Sequence, residues 1–281
     1  MTITDTPIAK PNKTKINIDT FCRVIAIWGP AGSTGKSTIA LNLAYELSNL
    51  GKQVLLIDAD TYNPSLTQLH GITEPTPGIP AIARLIRQGR FDLTQLDRLS
   101  ITIKHRRTRY KLIPGLPTTT RWPEVTPDSI NQLLTQAKSE YDVIVIDLAS
   151  PLEPNLSCPE SSTTRNSITR SCIETADQLL VILKQSPNSI HRYLQNFAEL
   201  NELQKQRTLV INFSTRNPKY IDAIKQLTKE VPEAHIPEDY PSLQLAESEQ
   251  LPLALSRRKS PSRTAISDLA NKLLLCPPSV S

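Results

Sequence analysis

Short apolar runs and longer segments with apolar residues at helical spacing alternate along this chain. The runs are Val24-Ile25-Ala26-Ile27-Trp28, Val54-Leu55-Leu56-Ile57, Tyr110-Lys111-Leu112-Ile113, Val143-Ile144-Val145-Ile146, Leu179-Leu180-Val181-Ile182 and Leu209-Val210-Ile211. They are short, mostly β-branched and continuously apolar, which predicts strands covered on both faces. Between them, Ile39, Ala40, Leu43, Ala44, Leu47 and Leu50 predict a helix over 37–50 that Gly51 closes. Ile79, Ile82, Ala83, Leu85 and Ile86 predict a second. Ile190, Tyr193, Leu194, Phe197, Leu200 and Leu203 predict one continuous helix, and Tyr220, Ile221, Ile224 and Leu227 another. The alternation predicts an α/β fold: a mainly parallel open sheet with helices on both faces. We place it in one domain, residues 21–276, between a polar leader at 1–20 and a short tail at 277–281.

Three segments read less regularly. Residues 71–122 predict a helix, a basic turn at Lys104-His105-Arg106-Arg107-Thr108-Arg109 and a strand. The turn is either a patch for nucleic acid or acidic lipid, or an ordinary solvated loop. Residues 152–170 are rich in Ser, Thr, Pro and Asn with little periodicity, and read as a switch segment or a linker. The last helix carries Ile266, Leu269, Ala270, Leu273 and Leu274 on one stripe. Its polar face, with Arg263, Asp268 and Lys272, is not strongly basic, so it is expected to pack on the sheet rather than lie on a membrane.

The chemistry concentrates at the ends of the first, second and fourth runs. Only 8 glycines serve 281 residues, yet three fall in Gly29-Pro30-Ala31-Gly32-Ser33-Thr34-Gly35-Lys36-Ser37-Thr38. Strand, glycine loop, Gly-Lys-Ser and helix make the P-loop arrangement, in which backbone N–H groups and a helix N-terminus face phosphates. Gly32, Ser33, Thr34, Gly35 and Thr38 would cradle the phosphates, Lys36 would reach the β- and γ-phosphates, and Ser37 would ligate Mg²⁺. The usual first glycine is replaced by Pro30, which lacks an N–H and fixes φ. The second run ends in Asp58-Ala59-Asp60 and the fourth in Asp147. Acids at the carboxyl ends of strands line the ligand crevice of an open α/β sheet, where they meet metal and water; helix capping and Asx turns are the structural alternative.

Composition narrows the setting. Hydrophobic residues make up 38% and charged residues 21%, the balance of a folded globular chain. No apolar run approaches the roughly 18 residues of a membrane span, and residues 1–20 lack a signal-peptide core. The four cysteines and four histidines form no metal-site spacing, which fits a reducing cytoplasm. The net charge of +5 is weak evidence for nucleic acid or a membrane surface.

With these residues in place the sequence resembles the MinD/ParA family of deviant P-loop ATPases over nearly all the chain after residue 20. The likeness rests on 32–38, 54–60 and 141–147, then on Ala176-Asp177-Gln178-Leu179, Leu209-Val210-Ile211-Asn212 and His235-Ile236-Pro237-Glu238-Asp239. Trp28-Gly29-Pro30 and Arg121-Trp122-Pro123-Glu124 look most like the CpaE/TadZ-like members of actinobacteria. The resemblance implies ATP and Mg²⁺ as cofactors. Lys36 and Asp60 would be catalytic, Asp60 orienting the attacking water. Ser37, Asp58 and Asp147 would serve the metal, and Asn212 and Pro237 the base. It also implies a homodimer, slow ATPase activity and a protein partner in a localisation or secretion system, through which the chain would be recruited to the membrane or cell pole. A non-hydrolysing scaffold and a ParA-like DNA partition or septum-site ATPase are the alternatives. The family's signature lysine is missing: Ala31 stands at its position. Dimer-coupled hydrolysis is then weakened, or another residue supplies the charge; Arg165 is one candidate, with an ordinary solvated loop arginine as its alternative.

Overall fold

The computed structural model describes residues 22–152, 159–215, 219–256 and 259–275. The expected leader and tail lie outside them. The chain opens with strand β1 (Arg23–Trp28), helix α1 (Lys36–Asn49) and β2 (Val54–Ala59), followed by α2 (Leu66–Leu69), α3 (Gly78–Arg87) and α4 (Leu93–Leu99). A hairpin of β3 (Ile101–His105) and β4 (Thr108–Ile113) leads to α5 (Pro127–Ala137), β5 (Val143–Leu148), α6 (Pro159–Thr175) and β6 (Gln178–Lys184). Then come α7 (Pro187–Gln195), α8 (Phe197–Glu202), β7 (Arg207–Ser214), α9 (Lys219–Thr228), β8 (Ala234–Pro237), α10 (Tyr240–Glu249) and α11 (Pro261–Leu275).

The eight strands form one sheet in the order β3-β4-β2-β5-β1-β6-β7-β8. Every neighbouring pair is parallel except β3 with β4. Successive side chains point to opposite faces, so each strand feeds two cores. Val24, Ala26, Trp28, Leu55, Ile57, Ile144 and Ile146 meet α3, α5 and α6 on one face. Ile25, Ile27, Leu56, Val145, Leu180 and Ile182 meet α1 and α11 on the other. This double burial is why the runs read as continuously apolar. The α11 stripe is spent inside: Ile266, Leu269, Ala270 and Leu273 are buried, and the helix packs against α1 and β8. No described helix is long and apolar enough to cross a membrane.

Several expectations change. The basic run is a hairpin rather than a free turn. Lys104 and Arg109 pair across β3 and β4, and Arg106 takes the left-handed turn conformation (φ 53°). Ile103 and Tyr110 point inward while Lys104, Arg106, Arg107 and Arg109 are exposed. The periodicity of β3 was hidden by its charges. Residues 159–175 form a helix, not an irregular segment. Its buried positions mix Ile168, Cys172 and Ile173 with Asn166, Thr169 and Ser171, of which Asn166 accepts from the Tyr62 hydroxyl and Ser171 donates to Asn131, so polar residues interrupt the stripe that would announce it. The helix expected over 190–203 is broken at Asn196, whose side-chain amide donates to the Arg192 carbonyl (2.8 Å) and closes α7.

Candidate functional site

The first loop grows out of β1 in the middle of the sheet, where β5 flanks it on one side and β6 on the other. Connections run to opposite sides of that point, so the carboxyl ends of β1, β2 and β5 open a crevice there. Gly32 and Gly35 adopt φ of 116° and 87°, the left-handed region that favours glycine, and Ser33 follows at 55°. Gly35 precedes Lys36, the first residue of α1, so the loop delivers its N–H groups to a helix N-terminus. Gly29 serves close approach rather than unusual φ. A Cβ there would lie 2.4 Å from the Ile182 carbonyl oxygen of β6 and 2.9 Å from Thr34 Oγ1. Pro30 is accommodated and buried beside it. Gly29→Ala is therefore expected to destabilise the fold by about 2 kcal/mol or more, through collision with a strand backbone that cannot yield. Urea unfolding measures it.

The loop borders a cleft of about 770 Å³ lined by Ala31 to Thr38 and by Asp60, Tyr62, Asn63, Ser65, Ser150 and Phe213. Lys36 extends into it and its Nζ donates to Ser150 Oγ at 2.9 Å. Ser150, three residues past Asp147, was not singled out by its sequence context. The three aspartates differ in their duties. Asp58 and Asp147 are register partners on β2 and β5. Asp58 Oδ2 accepts the backbone N–H groups of Ser65 and Leu66, both at 2.9 Å, and so caps α2 across the loop. Burial, with Asp147 beside it, holds its carboxyl well above the usual carboxylate range. Asp60 Oδ1 accepts from the N–H groups of Tyr62 (2.8 Å) and Asn63 (2.9 Å), an Asx-type turn that positions the carboxylate at the cleft wall. Asp147 is wholly buried, and among the described residues none lies in good hydrogen-bonding geometry to either of its oxygens, although the Ser37 hydroxyl is close by. Burial pushes its carboxyl up to about 7, although the nearby Ser37 hydroxyl and Lys36 ammonium favour the anion.

Next to this polar cleft lies an apolar cavity of about 240 Å³. The two share Gly35, Thr38, Leu69 and Phe213. Phe213, held at φ 51°, stacks on Tyr240 with ring centroids 5.6 Å apart and 19° between planes. Asn212 stands at the junction. Its Nδ2 donates to the Thr34 carbonyl (2.8 Å) and its Oδ1 accepts the Phe213 N–H (2.9 Å), leaving one donor hydrogen and one lone pair for a ligand. Ile236 lines the cavity, whereas Pro237 lies just outside it with its carbonyl bound by the Ser262 hydroxyl at 2.7 Å.

Two arginines replace what the sequence suggested. Arg165 is not at the loop. Its Nη2 donates to the Thr61 carbonyl (2.6 Å) and its guanidinium lies 3.7 Å over the Tyr62 ring, supporting the turn that carries Asp60. The arginine at the loop is Arg192 of α7, whose Nη1 donates to the Ala31 carbonyl at 2.7 Å. No motif marks it, because the contact spans 161 residues of sequence.

Comparison with known proteins places this geometry in context. Residues 25–253 match the CobQ/CobB/MinD/ParA nucleotide binding domain. An uncharacterised ATP-binding protein of Methanocaldococcus jannaschii is 25% identical over 253 residues, 89% of this chain and 87% of the relative. Several other curated relatives are matched over less than a third of their own length. A ParA family ATPase from Chlorobium tepidum superposes with a TM-score of 0.77 at 21% identity, covering 90% of this chain and 99% of that one. The septum site-determining protein MinD of Pyrococcus horikoshii, solved with Mg-ADP, superposes with a TM-score of 0.69 at 19% identity, covering 90% and 96%. The sheet order, the glycine loop leading into α1 and the match over most of its length together show that the chain belongs to the CobQ/CobB/MinD/ParA nucleotide-binding family.

Proposed function

We propose that this chain is a Mg-ATP-binding switch with slow ATPase activity that positions or regulates a macromolecular machine through a protein partner. The observation that carries it is the joined cleft: a cationic, N–H-lined end at 32–38 and a flat aromatic-walled apolar end at Phe213, matching the triphosphate and the base of one nucleotide. Mg²⁺ fits the residues present, since Asp147 is a buried carboxylate that the described residues leave without a well-formed hydrogen bond, beside the Ser37 hydroxyl. Among the described residues no three His, Cys, Asp or Glu side chains form a metal cluster. That suits an ion which takes one or two protein ligands and completes its shell with phosphates and water. When bound, the ion would neutralise phosphate charge. Ser37 and Asp147 would hold it, directly or through water, Asp58 would keep the Asp60 loop in place, and Asp60 would orient the attacking water. Asn212, with Ile236 and Pro237 behind it, would meet the base.

The experiment is phosphate release from Mg-ATP. Asp60→Asn keeps an acceptor for Tyr62 and Asn63 but removes the anion. It is expected to lower turnover about 100-fold or more while ATP affinity changes by less than about 3-fold. A non-hydrolysing scaffold of the same fold is the second reading, favoured by Ala31 at the lysine position; wild-type phosphate release no higher than that of Lys36→Ala would establish it. The homodimer, a CpaE/TadZ-like pilus or secretion role, and recruitment from the cytoplasm to a membrane or pole through the partner extend the same proposal. DNA partition is its competitor. The exposed cations of the β3–β4 hairpin supply that reading with charge, and steeply salt-dependent DNA retention would favour it.

A further inference from the structure

We propose that Arg192 is the second phosphate-facing cation of this site and binds the terminal phosphate of ATP at the exposed rim of the loop. The inference rests on the nucleotide-binding reading above and adds a residue to it. Among the described residues lining the phosphate cleft, Lys36 is the only cation. Asp60 lines the same cleft, and Asp147 lies beside Lys36 and Ser37. A triphosphate entering there brings further negative charge, and a single ammonium leaves it poorly compensated in a partly desolvated crevice.

The chain has no lysine at position 31, but its tertiary structure brings a guanidinium to the same place. α7 sets Arg192 against the loop, with Nη1 2.7 Å from the Ala31 carbonyl. A Cβ on Gly32 would come within 2.6 Å of that nitrogen, so the glycine also leaves room for the arginine. Ala31, Gly32, Ser33 and Arg192 are all exposed, so a ligand can reach the group. Among the described residues no carboxylate pairs with it. The bond to Ala31 uses one of five guanidinium N–H donors. The remaining fork matches two oxygens of a phosphate, which a lysine could meet only as a point charge. The N–H groups at the start of α1 take the inner phosphates, which leaves the rim, and Arg192, to the outermost one. Arg165 is already engaged at Thr61 and Tyr62.

Calorimetric titration of the full chain with Mg-ATP and with Mg-ADP tests this. Arg192→Ala is expected to weaken ATP binding about 10- to 100-fold and ADP binding less than about 3-fold. Arg192→Lys should recover part of the ATP affinity. Arg192→Gln, which retains a donor for Ala31 without the charge, should show the same split as alanine and covers the case in which alanine fails to fold. Equal weakening of ATP and ADP would make Arg192 a strut for the loop and overturn the proposal, as would no change in either. A wild-type chain that binds neither nucleotide overturns the nucleotide-binding reading itself, and this inference with it.

Discussion

Lys36→Ala is expected to lower Mg-ATP affinity at least about 100-fold while the nucleotide-free protein melts within a few degrees of wild type. The asymmetry follows from what Lys36 touches. Among the described residues its Nζ makes one hydrogen bond, to the Ser150 hydroxyl at 2.9 Å, in a partly exposed cleft. Losing that bond costs about 1 kcal/mol, which shifts the melting temperature of a domain this size by about 2–4 °C. With a triphosphate in the cleft the same ammonium would make two or more charge-assisted bonds, each worth about 1.5–3 kcal/mol. Their loss amounts to two decades of affinity or more. Calorimetric titration and a thermal melt on the same two proteins check both halves. An unchanged ATP affinity would remove the phosphate-binding role from the loop.

Asp147→Asn is expected to stabilise the nucleotide-free protein at pH 8 by about 1–3 kcal/mol and to abolish the Mg²⁺ dependence of ATP binding. The wild-type carboxyl is pushed by burial from 3.8 to about 7. Its folded form therefore keeps a proton that the unfolded chain has released across that interval. Stability falls as pH rises through the interval, by about 1.4 kcal/mol per unit for one group, and at pH 8 the full penalty of a buried anion that Ser37 and Lys36 offset only in part is present. The amide removes that charge. Its advantage should shrink at pH 5.5, where the native carboxyl is already protonated. Urea unfolding at the two pH values measures the difference. A variant less stable than wild type at pH 8 would show that the anion is compensated in the folded protein. A site that is costly when empty is what a metal-binding carboxylate is expected to show, because the counter-charge arrives with the ligand.

Much of the fold was legible because the sheet is buried on both faces. Strands such as β1, β2, β5 and β6 then carry uninterrupted runs of four or five apolar residues, and those runs stand out from a chain of ordinary polarity. Where burial was one-sided or polar, the signal failed. β3 alternates Ile103 with Thr102 and Lys104, so it was absorbed into a basic turn. α6 buries Asn166 against Tyr62 and Ser171 against Asn131, alongside Ile168 and Ile173, so polar residues break the stripe that a count of apolar residues would find. Asn196 ends α7 by a local side-chain bond to the Arg192 carbonyl that the apolar spacing of 190–203 does not register.

The sequence by itself determined the glycine loop and the helix that follows it, since Gly32, Gly35, Lys36 and Ser37 fall within one short stretch between an apolar run and a helical stripe. It also determined that Asp58, Asp60 and Asp147 stand at strand ends. Only the tertiary structure decided how those acids divide their work. Asp58 faces the N–H groups of Ser65 and Leu66, while Asp147 faces none, and that difference depends on strand register and on the path of a loop. Likewise only the fold brought Arg192 to Ala31, Ser150 to Lys36 and Phe213 to Tyr240. Such pairs join residues far apart in the chain, and the apolar packing that holds their elements together says nothing, read along the sequence, about which polar side chains it will bring face to face.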